Sequence, residues 1–230
     1  MVRATRTATG SVVADTVAPE FARFLGAQVA AGRRSPPDAS MAAGAIAEPI
    51  FATAREANEL LSIAAKRAVG LFRPTKRTEV VWVNGDSELA VGLVGLDLET
   101  SDGFMTVSIP VRCDQVGSAT VEVTFATGRE RSPAGLFAAT HRRPVGPALV
   151  VEVWGEHLVA FAWQCVLGLL SGLSGAAGKD GRGNILVPAE LTVNSDGLQI
   201  VPMARHRFAG SSGLLTKKPV VIGRPPGGDR

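Results

Sequence analysis

Two periods divide this chain. Up to about residue 72 apolar residues recur at three- and four-residue spacing, and from residue 78 they alternate with polar ones. In the first part, Pro19 suits the first turn of a helix through FARFLGAQVAA, and GRRSPPDAS (residues 32–40) breaks it. A second helical block is expected from near Ser40, kinked or restarted at Pro49. Its Phe51, Ala54, Ala57, Leu61, Ala64 and Ala68 share one face, while Arg55, Glu56, Glu59, Lys66 and Arg67 fall mainly elsewhere. Gly70 and Pro74 end that helix.

In the second part Val81 and Val83, then Met105, Val107, Ile109 and Val111, then Val121, Val123 and Phe125 alternate as half-buried strands do. Asn84-Gly85-Asp86, Ser101-Asp102-Gly103 and Gly117-Ser118 separate them at short range, leaving no room for crossover helices, so an antiparallel meander is predicted. Residues 128–147 read as a long irregular connection with one short strand at 136–139. PALVVEVW (residues 147–154) reads as a further strand, residues 158–178 as an apolar helix, and residues 189–203 as a hairpin around Asp196-Gly197.

The predicted fold class is α+β: a mainly antiparallel sheet, meander plus C-terminal hairpin, packed on a buried apolar helix, with an N-terminal helical region. The expected organisation is a flexible arm (1–16), a helical region (17–77), a sheet domain (78–208) and a flexible basic tail (209–230).

Residues 158–178 carry no charge, and at about 1.5 Å rise per residue a helix of this length reaches across a bilayer core of about 30 Å. A core helix is the expectation instead. A single crossing would strand the flanking sheet segments in different compartments, and the orientation set by Lys179 and Arg182 would demand export without an export signal. Only residues 158–170 are densely apolar. Ser171, Gly172, Ser174, Gly175 and Gly178 then suggest fraying into a loop, and Gly168-x-x-x-Gly172 permits close packing of helix on sheet.

Composition adds bounds. The 230 residues, 46% hydrophobic, suffice for a substantial core and exclude disorder throughout. Net charge is +3, but Arg205, Arg207, Lys217, Lys218, Arg224 and Arg230 face Asp229 alone, so the tail is basic and the body slightly negative. Two cysteines, Cys113 and Cys165, read as buried thiols of a reducing compartment. The N-terminus has no apolar signal core, and a cytoplasmic location is expected.

Motifs that approach a known chemistry miss its structural context. Gly172 to Lys179 resembles a phosphate loop, but the glycine spacing is off by one, Asp180 replaces the magnesium-binding hydroxyl, and a helix precedes it instead of a strand. Gly172-Leu173-Ser174-Gly175-Ala176 resembles a nucleophile elbow with Asp180 or Asp196 and His206 downstream. That elbow needs a strand before the serine and a helix after it, and its final glycine is absent. His141, His157 and His206 are scattered and no Cys-x-x-Cys occurs, so no metal and no cofactor is expected. Asp97 and Glu99 share a strand face, either solvated or flanking a substrate.

The remaining chemistry is basic. Lys66, Arg67, Arg73, Lys76 and Arg77, with Lys217 and Lys218 in the tail, form candidate contacts to an anion or a partner; counterion release would let them bind phosphate backbones. Cations at a helix end also simply complement its dipole. His141, Arg142 and Arg143 mark the 128–147 loop as the place for an anion pocket. The favoured function is a non-enzymatic structural or interaction protein, a subunit of a homo- or hetero-oligomer. The alternatives are nucleic-acid binding through segments 66–77 and 205–230, or an enzyme with its anion-binding loop at 128–147. A protein partner or a second copy is expected, and a membrane is not.

Overall fold

The computed structural model describes residues 17–36, 41–42, 44–72, 76–127 and 138–204. The arm 1–16, residues 128–137 and the tail from 205, with Arg73, Lys217, Lys218 and His206, lie outside the described residues.

Helix α1 (Pro19–Ala30) starts on its proline and turns Phe21 and Leu25 into the core; Gly32, at φ +68°, follows its end. The next segment departs from expectation. Ser40 itself lies outside the described residues; residues 44–49 are irregular, and Ile50–Thr53, with Phe51, form strand β1 where the second helical block was expected. Helix α2 (Ala54–Ala68) begins only after that. Its N-terminus is a capping box in which Glu56 N donates to Thr53 Oγ1 (3.2 Å) and Thr53 N donates to Glu56 Oε2 (2.9 Å). Ala57, Leu60, Leu61, Ala64 and Ala65 are buried, and Gly70 follows the helix at φ +80°.

The larger sheet contains β2 (Glu79–Asn84), β3 (Ser87–Gly92), β4 (Asp97–Ser101), β5 (Phe104–Cys113), β6 (Gly117–Thr127) and β7 (Ala138–Thr140). All its pairings are antiparallel, in the order β2-β3-β5-β6-β7, and β4 also pairs with β5. Thus β3 and β4 lie on the same side of the long β5, as one strand broken at residues 93–96. Pro110 stands opposite the break, and a Cβ on Gly92 would come within 3.1 Å of it. A residue without an N–H is tolerated where a ladder is interrupted. Met105, Val107, Ile109 and Val111 on β5 and Val121, Val123 and Phe125 on β6 face the core, as their alternation predicts.

Helix α3 (Ala148–Ala176) begins ten residues earlier than expected and keeps its helical form through the stretch expected to fray. The 147–154 segment is its first turns and not a strand: Val150, Trp154, Leu158 and Phe161 fall on one helical face and are buried, so packing overrides the strand preference of β-branched residues. Nor does the helix fray after residue 170. Gly172 lets the Phe21 ring of α1 lie where a Cβ would come within 2.6 Å, and a Cβ on Gly168 would lie 3.3 Å from Ala64 of α2. The small residues therefore serve helix-to-helix contact, in place of the expected helix-to-sheet contact.

By length and composition α3 alone among the described helices is able to cross a membrane; 56% of its most apolar window is buried inside the protein, against the sheet, α1 and α2. It is the core helix of an α+β fold.

After α3 a loop is organised by Asp180, whose Oδ1 accepts from Arg182 N and Asn184 N (both 2.9 Å). The Asn184 side-chain amide first, then these backbone groups and the Arg182 charge, hold the Asp180 carboxyl below its usual range. Strands β8 (Val187–Asn194) and β9 (Gly197–Met203) form the expected hairpin, and β1 joins it in the order β1-β9-β8.

Candidate interaction surface

Each sheet margin leaves one row of backbone groups without a strand partner, and at β1, β4 and β8 described residues reach part of that row. At β1 the margin is closed by two buried side chains: Gln28 of α1, 4% exposed, donates to Phe51 O (2.7 Å), and Arg34, 8% exposed, donates to Pro49 O (3.1 Å). Burial lowers the Arg34 pKa and nearby Glu48 opposes that shift. At β4 the Asn58 amide of α2 acts like a neighbouring strand, accepting from Leu98 N and donating to Leu98 O (3.2 Å). At β8, Val193 O accepts from Gly103 N (3.0 Å).

Strand β2 differs. Leu93 N donates to Thr78 O (2.7 Å), which fixes the phase of the ladder: Val80, Trp82 and Asn84 turn their backbone groups toward β3, and Glu79, Val81 and Val83 turn theirs outward. The tight turn at Gly85-Asp86, closing on the Asn84 to Ser87 pair, agrees with that phase. No described residue has a hydrogen bond to these outward groups. Val81 and Val83 are also 54% and 57% exposed, which reverses the expectation that they face the core; Val80 and Trp82 do. With apolar residues at all four positions 80–83, alternation carries no phase.

Beneath β2 lies an aromatic cluster. Trp82 packs edge-on against Phe161 (centroids 5.7 Å) and lies 6.2 Å from Trp154 and 6.4 Å from the His157 ring. His157 Nδ1 is buried without a hydrogen-bond partner, and Trp154 flanks that ring as well. The helix segment over this end of the sheet exposes Leu149 and Val153.

The described basic residues fall into separate groups. Lys66 and Arg67 sit in the last turn of α2, where they complement its dipole, and the Arg67 guanidinium lies 5.6 Å from the centre of the exposed Phe72 ring. Lys76 and Arg77 are exposed just before β2. His141, Arg142 and Arg143 are exposed after β7, at the other end of the strand order, with the His141 ring 4.7 Å from Phe104. The sheet therefore separates the two described basic groups.

The catalytic near misses are explained by helix α3. Ser174 lies inside it, fully buried, with no strand before it and no exposed turn. The glycines of the phosphate-loop resemblance are likewise helical up to residue 176. Burial pushes the Cys165 thiol up, far from a reactive thiolate. Asp97 and Glu99 are exposed on the outer sheet face in cross-strand rows with Ser108 and Glu122, and with Thr106 and Thr124. Among the described residues, no group of three or more His, Cys, Asp and Glu side chains is placed to hold a metal ion.

Comparison with known proteins finds no matching family model, no matching curated protein and no matching solved structure.

Proposed function

We propose that this chain is a non-enzymatic interaction protein of the cytoplasm, a subunit of an assembly that takes up a partner strand along β2. One observation carries the reading: Val81 and Val83 expose both their side chains and their outward backbone groups on an outer strand, while β1 and β4 are covered by Gln28, Arg34 and Asn58. Strand addition uses such a margin, with main-chain hydrogen bonds supplying affinity and alternate side chains supplying specificity. Two unpaired cysteines are in keeping with a reducing compartment.

The test is the mass of the nuclease-treated protein by light scattering at low and high salt, for the wild type and for Val81→Lys with Val83→Lys. A discrete mass above the 23.9 kDa of one chain, indifferent to salt and lost in the double variant, supports the reading. Nucleic acid released by salt would favour the basic segments instead. A compact monomer free of nucleic acid would return the weight to an enzyme.

A further inference from the structure

We infer that the strand β2 accepts is β2 of a second copy of this chain, antiparallel about a twofold axis through Trp82. The inference rests on the reading above and adds the partner's identity and register. In a twofold pairing each strand meets its own reverse, and hydrogen bonds form only between residues whose backbone groups point outward. On β2 those residues are Glu79, Val81 and Val83. The axis is therefore confined to registers that set odd-numbered residues opposite one another.

Two such registers keep most of the strand paired. Centred on Val81, the pairing sets Val81 against its own copy and Glu79 against Val83, placing a carboxylate on an apolar side chain at both ends. Centred on Trp82, it sets Val81 against Val83 twice, Trp82 against Trp82, and Glu79 against Gly85. The second register covers both exposed valines of β2 with a valine and opposes no two like charges. It also leaves Glu79 free to keep its ion pair with Arg112 (3.0 Å). On the core side the two aromatic clusters of Trp82, Trp154, His157 and Phe161 are brought next to each other.

Two measurements test this. The first is amide exchange of Val81 and Val83 at rising protein concentration, together with the mass at each concentration. Their N–H groups point outward, so they should exchange freely at the mass of one chain and become protected as the mass doubles. Protection already present at the mass of one chain would show a segment of the same chain on β2 and overturn the inference.

The second is oxidative cross-linking of Val81→Cys mixed with Val83→Cys, in a Cys113→Ser background. Residues opposed in a hydrogen-bonded pair have Cα atoms about 5.5 Å apart, within the roughly 4.4–6.8 Å that a disulfide spans. The mixture should form a covalent dimer of the two variants, and either variant alone several-fold less. Efficient self-linking of Val81→Cys alone would overturn the register. A larger mass abolished by lysine at Val81 and Val83, but without any cross-link between copies, would reject the second copy while leaving the assembly reading intact. A mass of one chain at every concentration, with no other protein bound, would reject both.

Discussion

Strands β1 and β2 are both short, both marginal and both apolar, yet their outer rows of backbone groups meet opposite surroundings. At β1, two polar side chains are taken into the core to reach two carbonyl oxygens, at the expense of burying a guanidinium with Nε unpartnered. At β2, Val81 and Val83 are exposed beside N–H and C=O groups that no described residue claims. Among the described residues, side chains reach the margins of β1 and β4, and none reaches that of β2. An apolar margin that stays open invites aggregation, and the association proposed for β2 would close it.

The contrast breaks most severely at Gly197. This residue sits at φ +148°, and a Cβ there would strike the Ala52 carbonyl of β1. Gly197→Ala should cost about 3 kcal/mol, read as a lower urea midpoint, because strain and collision both oppose the seating of β1 on β9.

Gln28→Leu is expected next, at about 1–3 kcal/mol, since Phe51 O is then buried without a donor. Arg34→Met should cost less than Gln28→Leu. It also removes the bond to Pro49 O, but it relieves the burial of a charge, and the difference between the two variants measures that relief.

Glu56 sharpens the comparison through pH. Burial works to raise its pKa, but hydrogen bonds from Thr53 and the Arg33 guanidinium (3.3 Å) outweigh it and hold the carboxyl below its usual value. A depressed folded-state pKa contributes stability above the unfolded value, near 4.3, that is lost as pH falls through the folded value. Glu56→Gln should therefore lower the melting temperature at neutral pH, by about 1 kcal/mol of stability, and flatten the acid limb. The smallest effect on folding, within about 0.5 kcal/mol, is expected from lysine at Val81 and Val83, which should alter association alone.

What could be read along the chain was whatever local periodicity or turn chemistry decides. The β5 and β6 alternation, the Ser101-Asp102-Gly103 and Asp196-Gly197 turns, Pro19 and the apolar core helix are all of this kind. Distance in sequence hid the rest. Ile50–Thr53 fits a helical spacing and becomes a strand only because β9 pairs with it. Residues 147–154 are strand-like taken alone, but Val150, Trp154, Leu158 and Phe161 continue one helical face across the supposed boundary. The exposure of β2 was hidden for another reason: valines at 80, 81 and 83 around Trp82 give no indication of which face is inward, and the place of β2 at the end of the strand order is set by pairings far along the chain.

The pairing of Ile50 with Ile200 also imposes an order of events during synthesis. Helix α1 and strand β1 emerge early, but α3, which meets Phe21, and β9, which pairs with Ile50, are among the last described elements made. Until then the nascent chain carries a ready meander and an unclaimed apolar leading segment, so completion of the fold waits on its final hairpin. Ribosome-bound chains halted before residue 197 should therefore hold protected β5 and β6 amides while residues 50–53 exchange freely.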